Sequence, residues 1–212
     1  MALPLLAFLL LAPQTIQLTP TDDVWVYGNA SDPAHDVNLR IWGTEGLATP
    51  KEAGGADQLS MAYLKWDLST APAGKKLTKA TLVVNNIPNP GYTIEQATAT
   101  PLEARPLVAD FDEKTWEFGL VSRVAPAGGK AELFGTGAPK TLPKDQAAPI
   151  EIDLMKGPGD FAAFVKSSGK QLRLALTSTL DMASLGRSAI YKIYSREEKD
   201  ETLRPRLVLV FE

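Results

Sequence analysis

Apolar side chains recur at every second position in short runs along most of this chain, and turn-forming residues separate the runs. In residues 60–69, SMAYLKWDLS, the extended backbone would set Ala62, Leu64, Trp66 and Leu68 on one face and Tyr63, Lys65 and Asp67 on the other. Residues 37–43, VNLRIWG, divide the same way: Leu39 and Ile41 point inward, and Asn38, Arg40 and Trp42 point outward. Further runs at 23–28, 77–87, 92–102, 148–154, 171–179, 188–195 and 205–212 bring the expected strands to about nine. The spacing predicts an all-β fold, a jelly-roll β-sandwich of nine or more antiparallel strands.

Helical periodicity is confined to one place. Asp160 stands where an N-cap belongs, Phe161, Phe164 and Val165 share a helical face, and Gly169 lies just beyond. One short helix is therefore expected. Residues 125–149 hold four prolines and four glycines and read as a long surface excursion.

The 212 residues suit one core and one domain. Residues 2–13 are Ala, Leu, Pro and Phe only, and the first charged side chain is Asp22. Such a run is too short to cross a bilayer as a helix but has the length of a signal-peptide apolar region. The expectation is a leader at 1–15, a domain at 16–212, and a secreted, cell-surface or periplasmic location, with a first core strand or helix as the alternative. There is no cysteine, so neither a disulfide framework nor a thiolate nucleophile is available. A net charge of -3 gives no broad basic field, which argues against nucleic acid as partner.

The outward-facing polar positions carry the candidate chemistry. Lys192, Tyr194 and Arg196 share one parity and, with Arg40, Trp42, Tyr63 and Lys65, would combine rings for stacking on sugars with cations for carboxylate or sulfate groups. A face of that kind suits an acidic polysaccharide, because arginine can hold a carboxylate through two parallel hydrogen bonds. The same residues would also make an ordinary solvated sheet face. Asp67 could pair locally, cap the turn at Ser69 and Thr70, or ligate calcium; Asp23 is the other candidate calcium ligand. No cofactor is required by this reading, and a structural calcium is the one candidate.

Catalytic sets are sparse. His35 is the single histidine, and Asp110, Asp112 and Glu113 in ADFDEKTW are the one carboxylate cluster that could hydrolyse a glycoside. The expected activity is binding without catalysis. A structural or adhesive protein with cell-envelope or matrix protein partners is the alternative.

Taken in order, DDVWVYG, NLRIWG, AYLKWDLS, KKLTKATLVV, FDEKTWEF, IEIDL and IYSREEKDETLRPRLVLVF resemble the DNRLRE-type domain, related to carbohydrate-binding module family ninety-six, over nearly all of residues 22–212. That resemblance implies a secreted jelly roll accessory to polysaccharide-degrading or cell-surface proteins, with alginate-like ligands. It favours Lys65, Arg40 and Arg196 as ligand contacts and Asp67 as an interior partner or ion ligand. Two features depart from the family: Phe111 and Glu113 replace part of its Trp-x-Glu signature, and the Pro/Gly-rich insert follows.

Overall fold

The computed structural model describes residues 12–26, 36–44, 59–116, 129–186 and 188–212. They form an all-β sandwich of eleven strands in two antiparallel sheets. The strands are β1 (Gln14–Leu18), β2 (Asp22–Val26), β3 (Asn38–Ile41), β4 (Met61–Asp67), β5 (Leu77–Asn86), β6 (Leu102–Pro106), β7 (Gly135–Gly137), β8 (Ala148–Asp153), β9 (Gln171–Thr177), β10 (Tyr191–Tyr194) and β11 (Arg206–Phe211). The six-stranded sheet runs β1-β11-β5-β10-β3, with β8 on the other edge of β5; the five-stranded sheet runs β2-β4-β9-β6-β7. Successive strands mostly alternate between the sheets, as jelly rolls do.

Between the sheets, the inward parity read from the sequence holds. Ala62, Leu64, Trp66 and Leu68 meet Leu39, Ile41, Leu82, Val84, Ile150, Leu207 and Leu209 in one apolar core, with Trp66 wholly buried. At one edge of the sandwich β7 lies against β8 so closely that a Cβ on Gly135 would sit 2.2 Å from the carbonyl oxygen of Asp153. Glycine is required there because two backbones nearly touch. At the opposite edge, Trp42 pairs with Ser60 and Thr44 with Ser178, so the chain leaving β3 crosses to the other sheet.

Three expectations change. Residues 92–102, read as a strand, open with helix α1 (Ile94–Ala99), and β6 follows it. Thr93 and Gln96 form a capping box, with Gln96 Oε1 accepting from the Thr93 amide at 2.8 Å, and this local signature outweighs the β-branched composition. The excursion at 125–149 contributes a 3-10 turn at Lys130–Glu132, then β7 and the start of β8. The single expected helix is α2 (Phe161–Ser167), capped by Asp160 Oδ1, which accepts from the Ala163 amide at 2.9 Å. A third short helix, α3 (Met182–Leu185), is capped by Asp181.

Strand β1 pairs with β11 from Gln14 onward, so Gln14 and Thr15 belong to the sheet. The apolar run at 1–11 lies outside the described residues. Among the described residues no helix is long and apolar enough to cross a membrane.

Candidate functional site

The outer face of the five-stranded sheet is sealed around Tyr63. Val24, Val26, Met61, Tyr63 and Ala175 form a second apolar cluster, and the segment 107–116 straps across it with Leu107, Phe111 and Trp116. Tyr63 is wholly buried, its ring 5.8 Å from Phe111 and 6.0 Å from Trp116, and burial pushes its phenol up. Outward parity here means burial beneath a strap rather than contact with solvent.

Lys65 is sealed in as well. Its Nζ donates to the Phe111 carbonyl, lies 3.5 Å from both Asp22 Oδ2 and Asp110 Oδ1, and sits 5.0 Å from the centre of the Phe111 ring. Arg173 stands opposite Lys65 in the β4–β9 register, and its Nη1 reaches the same Asp110 Oδ1 at 3.0 Å. One carboxylate from the strap thus bridges a cross-strand pair of cations. The two residues expected as ligand contacts on this sheet, Tyr63 and Lys65, hold the strap in place.

Trp42 also turns inward. Its backbone bonds reciprocally with Ser60 at 3.0 Å, and Gly43 follows at φ 73°, so the crossing between sheets rotates the indole into the main core. Asp67 is exposed and caps its own turn: Oδ1 accepts from the Ser69 amide at 2.8 Å and Oδ2 from the Ser69 hydroxyl at 2.9 Å, which holds its carboxyl below the usual range. The local alternative weighed for Asp67 is the one the fold adopts, and the residue is not part of the acidic group around Asp23.

Arg196 is occupied by carboxylates of its own chain. Its Nη1 donates to Glu113 Oε1 and, at 2.6 Å, to the Thr21 carbonyl, while its amide donates to Asp23 Oδ2 at 2.8 Å. Glu113 Oε2 in turn accepts from the Asp23 amide at 3.0 Å. Glu197 completes the group, with Oε1 3.6 Å from Arg196 Nε. Asp23 is buried, and burial first, then the nearby charge of Glu197, raises its carboxyl well above the ordinary carboxylate range; burial likewise raises Glu113. The β2 edge, the strap and the turn after β10 meet at this point.

The carboxylates considered for hydrolysis are separately engaged. Asp110 bridges Lys65 and Arg173, Asp112 caps the 3-10 turn at Glu113–Thr115, and Glu113 faces Asp23. His35 lies outside the described residues.

Three expected contacts do share an open face, on the six-stranded sheet. Arg40 and Lys192 are direct partners in the β3–β10 register, and Asn38 and Tyr194 are the next outward pair. Leu39, Ile41, Tyr191 and Ile193 fill the inward positions between them. Lys192 makes no ion pair among the described residues, whereas Arg40 has Asp36 at 3.8 Å and lies 4.8 Å over the Trp25 ring. That carboxylate is partly committed, since Asp36 Oδ2 accepts from Trp25 Nε1 at 3.0 Å.

The same face continues onto β11. Arg206, opposite Val83 of β5, adds a third cation with no ion pair among the described residues and with its Nε buried and unpartnered. Burial, then Glu198 and Asp200, raises the Tyr194 phenol. Sequence reading did not single out Arg206, Arg173 or Glu197. Parity from Leu207 and Leu209 would have placed Arg206 outward; the other two needed the sheet register and the turn.

Compared with known proteins, the chain matches no family model and no curated protein.

Proposed function

We propose that the chain is an exported, non-catalytic domain that binds an anionic polysaccharide on the outer face of its six-stranded sheet. The observation that carries this reading is the in-register pair Arg40 and Lys192. Side chains so paired leave the backbone about 5 Å apart, and like charges there are unfavourable unless an anion joins them. On the other sheet the protein supplies that anion itself, as Asp110 between Lys65 and Arg173. On this sheet an external carboxylate would take the equivalent place, with Arg206 and Tyr194 extending the contact along β11 and β10.

Two further features support the reading. The uncharged opening of residues 2–13 suits export, and the ordered motifs resemble the DNRLRE-type carbohydrate-binding domain. Cations bound to sugar carboxylates at an exposed face imply salt-sensitive affinity.

Native electrophoresis in gels containing alginate, set against gels with a neutral glucan, tests the proposal. Retardation by alginate is expected to fade with added salt and to fall in Lys192→Ala and Arg206→Ala, with unfolding midpoints unchanged. Absence of retardation across a panel of acidic glycans would refute it and favour a structural or adhesive role. New reducing or unsaturated ends during incubation would instead make the protein an enzyme.

A further inference from the structure

The buried acidic group at the β2 edge has an unmet electrostatic demand. Oxygens of Asp23, Glu113 and Glu197 all lie within 4.8 Å of one another. Among the described residues, three carboxylates face one guanidinium there, that of Arg196. Two buried oxygens, Asp23 Oδ1 and Glu197 Oε2, accept no hydrogen bond among the described residues. Asp23 itself is only 1% exposed. An ionised carboxylate in such a place is costly unless paired or bound to a metal, and without either it takes up a proton.

Among the described residues, neighbouring cations do not answer the demand. Lys65 is committed to Asp22, Asp110 and the Phe111 carbonyl, and Arg173 to Asp110. Arg196 already uses Nη1 on Glu113 and the Thr21 carbonyl. The backbone amides of Asp23 and Arg196 are likewise spent within the group.

We infer that Asp23, Glu113 and Glu197 form a calcium site, with Asp23 Oδ1 and Glu197 Oε2 as its principal ligands. The ligand chemistry favours calcium, which accepts irregular sets of carboxylate and carbonyl oxygens, whereas magnesium demands near-ideal octahedral geometry and gives up its waters reluctantly. Each carboxylate oxygen of Glu113 already accepts one hydrogen bond and keeps a second lone pair for the ion. Asp23 belongs to β2, Glu113 to the strap and Glu197 to the turn after β10, so one ion would tie together three segments distant in sequence. Its role is to fasten the strap over the second apolar cluster. None of its ligands lies on the proposed glycan face, so either reading can fail alone.

Calorimetric titration of the EDTA-treated full chain with calcium chloride, alongside thermal melts, tests the site. One calcium per chain is expected, with the melting temperature raised by about 5–10 °C at a calcium concentration 100-fold above Kd. Magnesium should give a clearly smaller rise. Glu197→Gln, altered at a partly exposed side chain, should fold without calcium and bind it about tenfold or more weakly. Asp67→Asn should bind as the wild type does. A folded wild-type chain that takes up no calcium at millimolar concentration would overturn the inference, as would unchanged affinity in Glu197→Gln.

Discussion

Lys65 and Arg173 stand directly opposite one another in β4 and β9, two cations in one cross-strand pair, and Asp110 Oδ1 lies 3.5 Å from the first and 3.0 Å from the second. The arrangement explains why a lysine and an arginine tolerate the same rung of a sheet. It also makes their contributions unequal, because Lys65 is enclosed whereas the Asp110 side chain is 64% exposed.

Lys65→Ala is expected to destabilise the fold by about 2–3 kcal/mol, since it removes the donor to the Phe111 carbonyl and leaves Asp22 and Asp110 less neutralised. Asp110→Ala should cost no more than about 1 kcal/mol, its charge being screened by water. Urea unfolding of both variants measures the difference. Equal losses would contradict the assignment of the lysine as the strap's anchor, and so would a change in glycan retention by folded Lys65→Ala.

Lys192→Glu separates stability from binding. Replacing the like-charged partner of Arg40 with a carboxylate should stabilise the free protein by about 0.2–1 kcal/mol. The same change should abolish retardation in alginate gels. A variant that is less stable, or one that still binds, would show that the Arg40–Lys192 pair is not the anionic contact.

The edge where β7 meets β8 is sensitive to a single methyl group. Gly135→Ala would drive a Cβ to 2.2 Å from the Asp153 oxygen, and a loss of about 3 kcal/mol is expected as the two sheets shift apart. Gly74→Ala meets nothing within 4 Å but must hold φ near 72°, so its cost is expected to stay near 1 kcal/mol. Thermal melts of the two variants should fall in that order; the reverse order would mean that the edge yields.

Helix α1 depends on its cap. Thr93→Ala removes the acceptor for the Gln96 amide, found at 3.3 Å, and should cost about 1 kcal/mol. Thr93→Ser should recover most of it. Chemical denaturation showing no loss in the alanine variant would mean that the burial of Ala97 and Tyr92 alone holds the helix.

Local periodicity determined the all-β class, the inward row of Ala62, Leu64, Trp66 and Leu68, and the capped helix at Phe161–Ser167, because alternation and capping act between residues near in sequence. The helix at Ile94–Ala99 was legible too, in the Thr93–Gln96 capping box, but β-branched and threonine-rich composition masked it. Parity also showed which side chains leave the core.

What parity could not show is what lies above each face. Tyr63 and Arg40 are equally outward by alternation, yet one is roofed by the strap carrying Phe111 and Trp116 while the other stands beside Lys192 on a different sheet. Assigning strands to sheets, closing a strap and bringing Asp23, Glu113 and Glu197 within 4.8 Å all join residues far apart in sequence. Such contacts are fixed by how the whole chain packs, so the tertiary structure alone decided which of the polar residues are held inside and which remain available to a ligand.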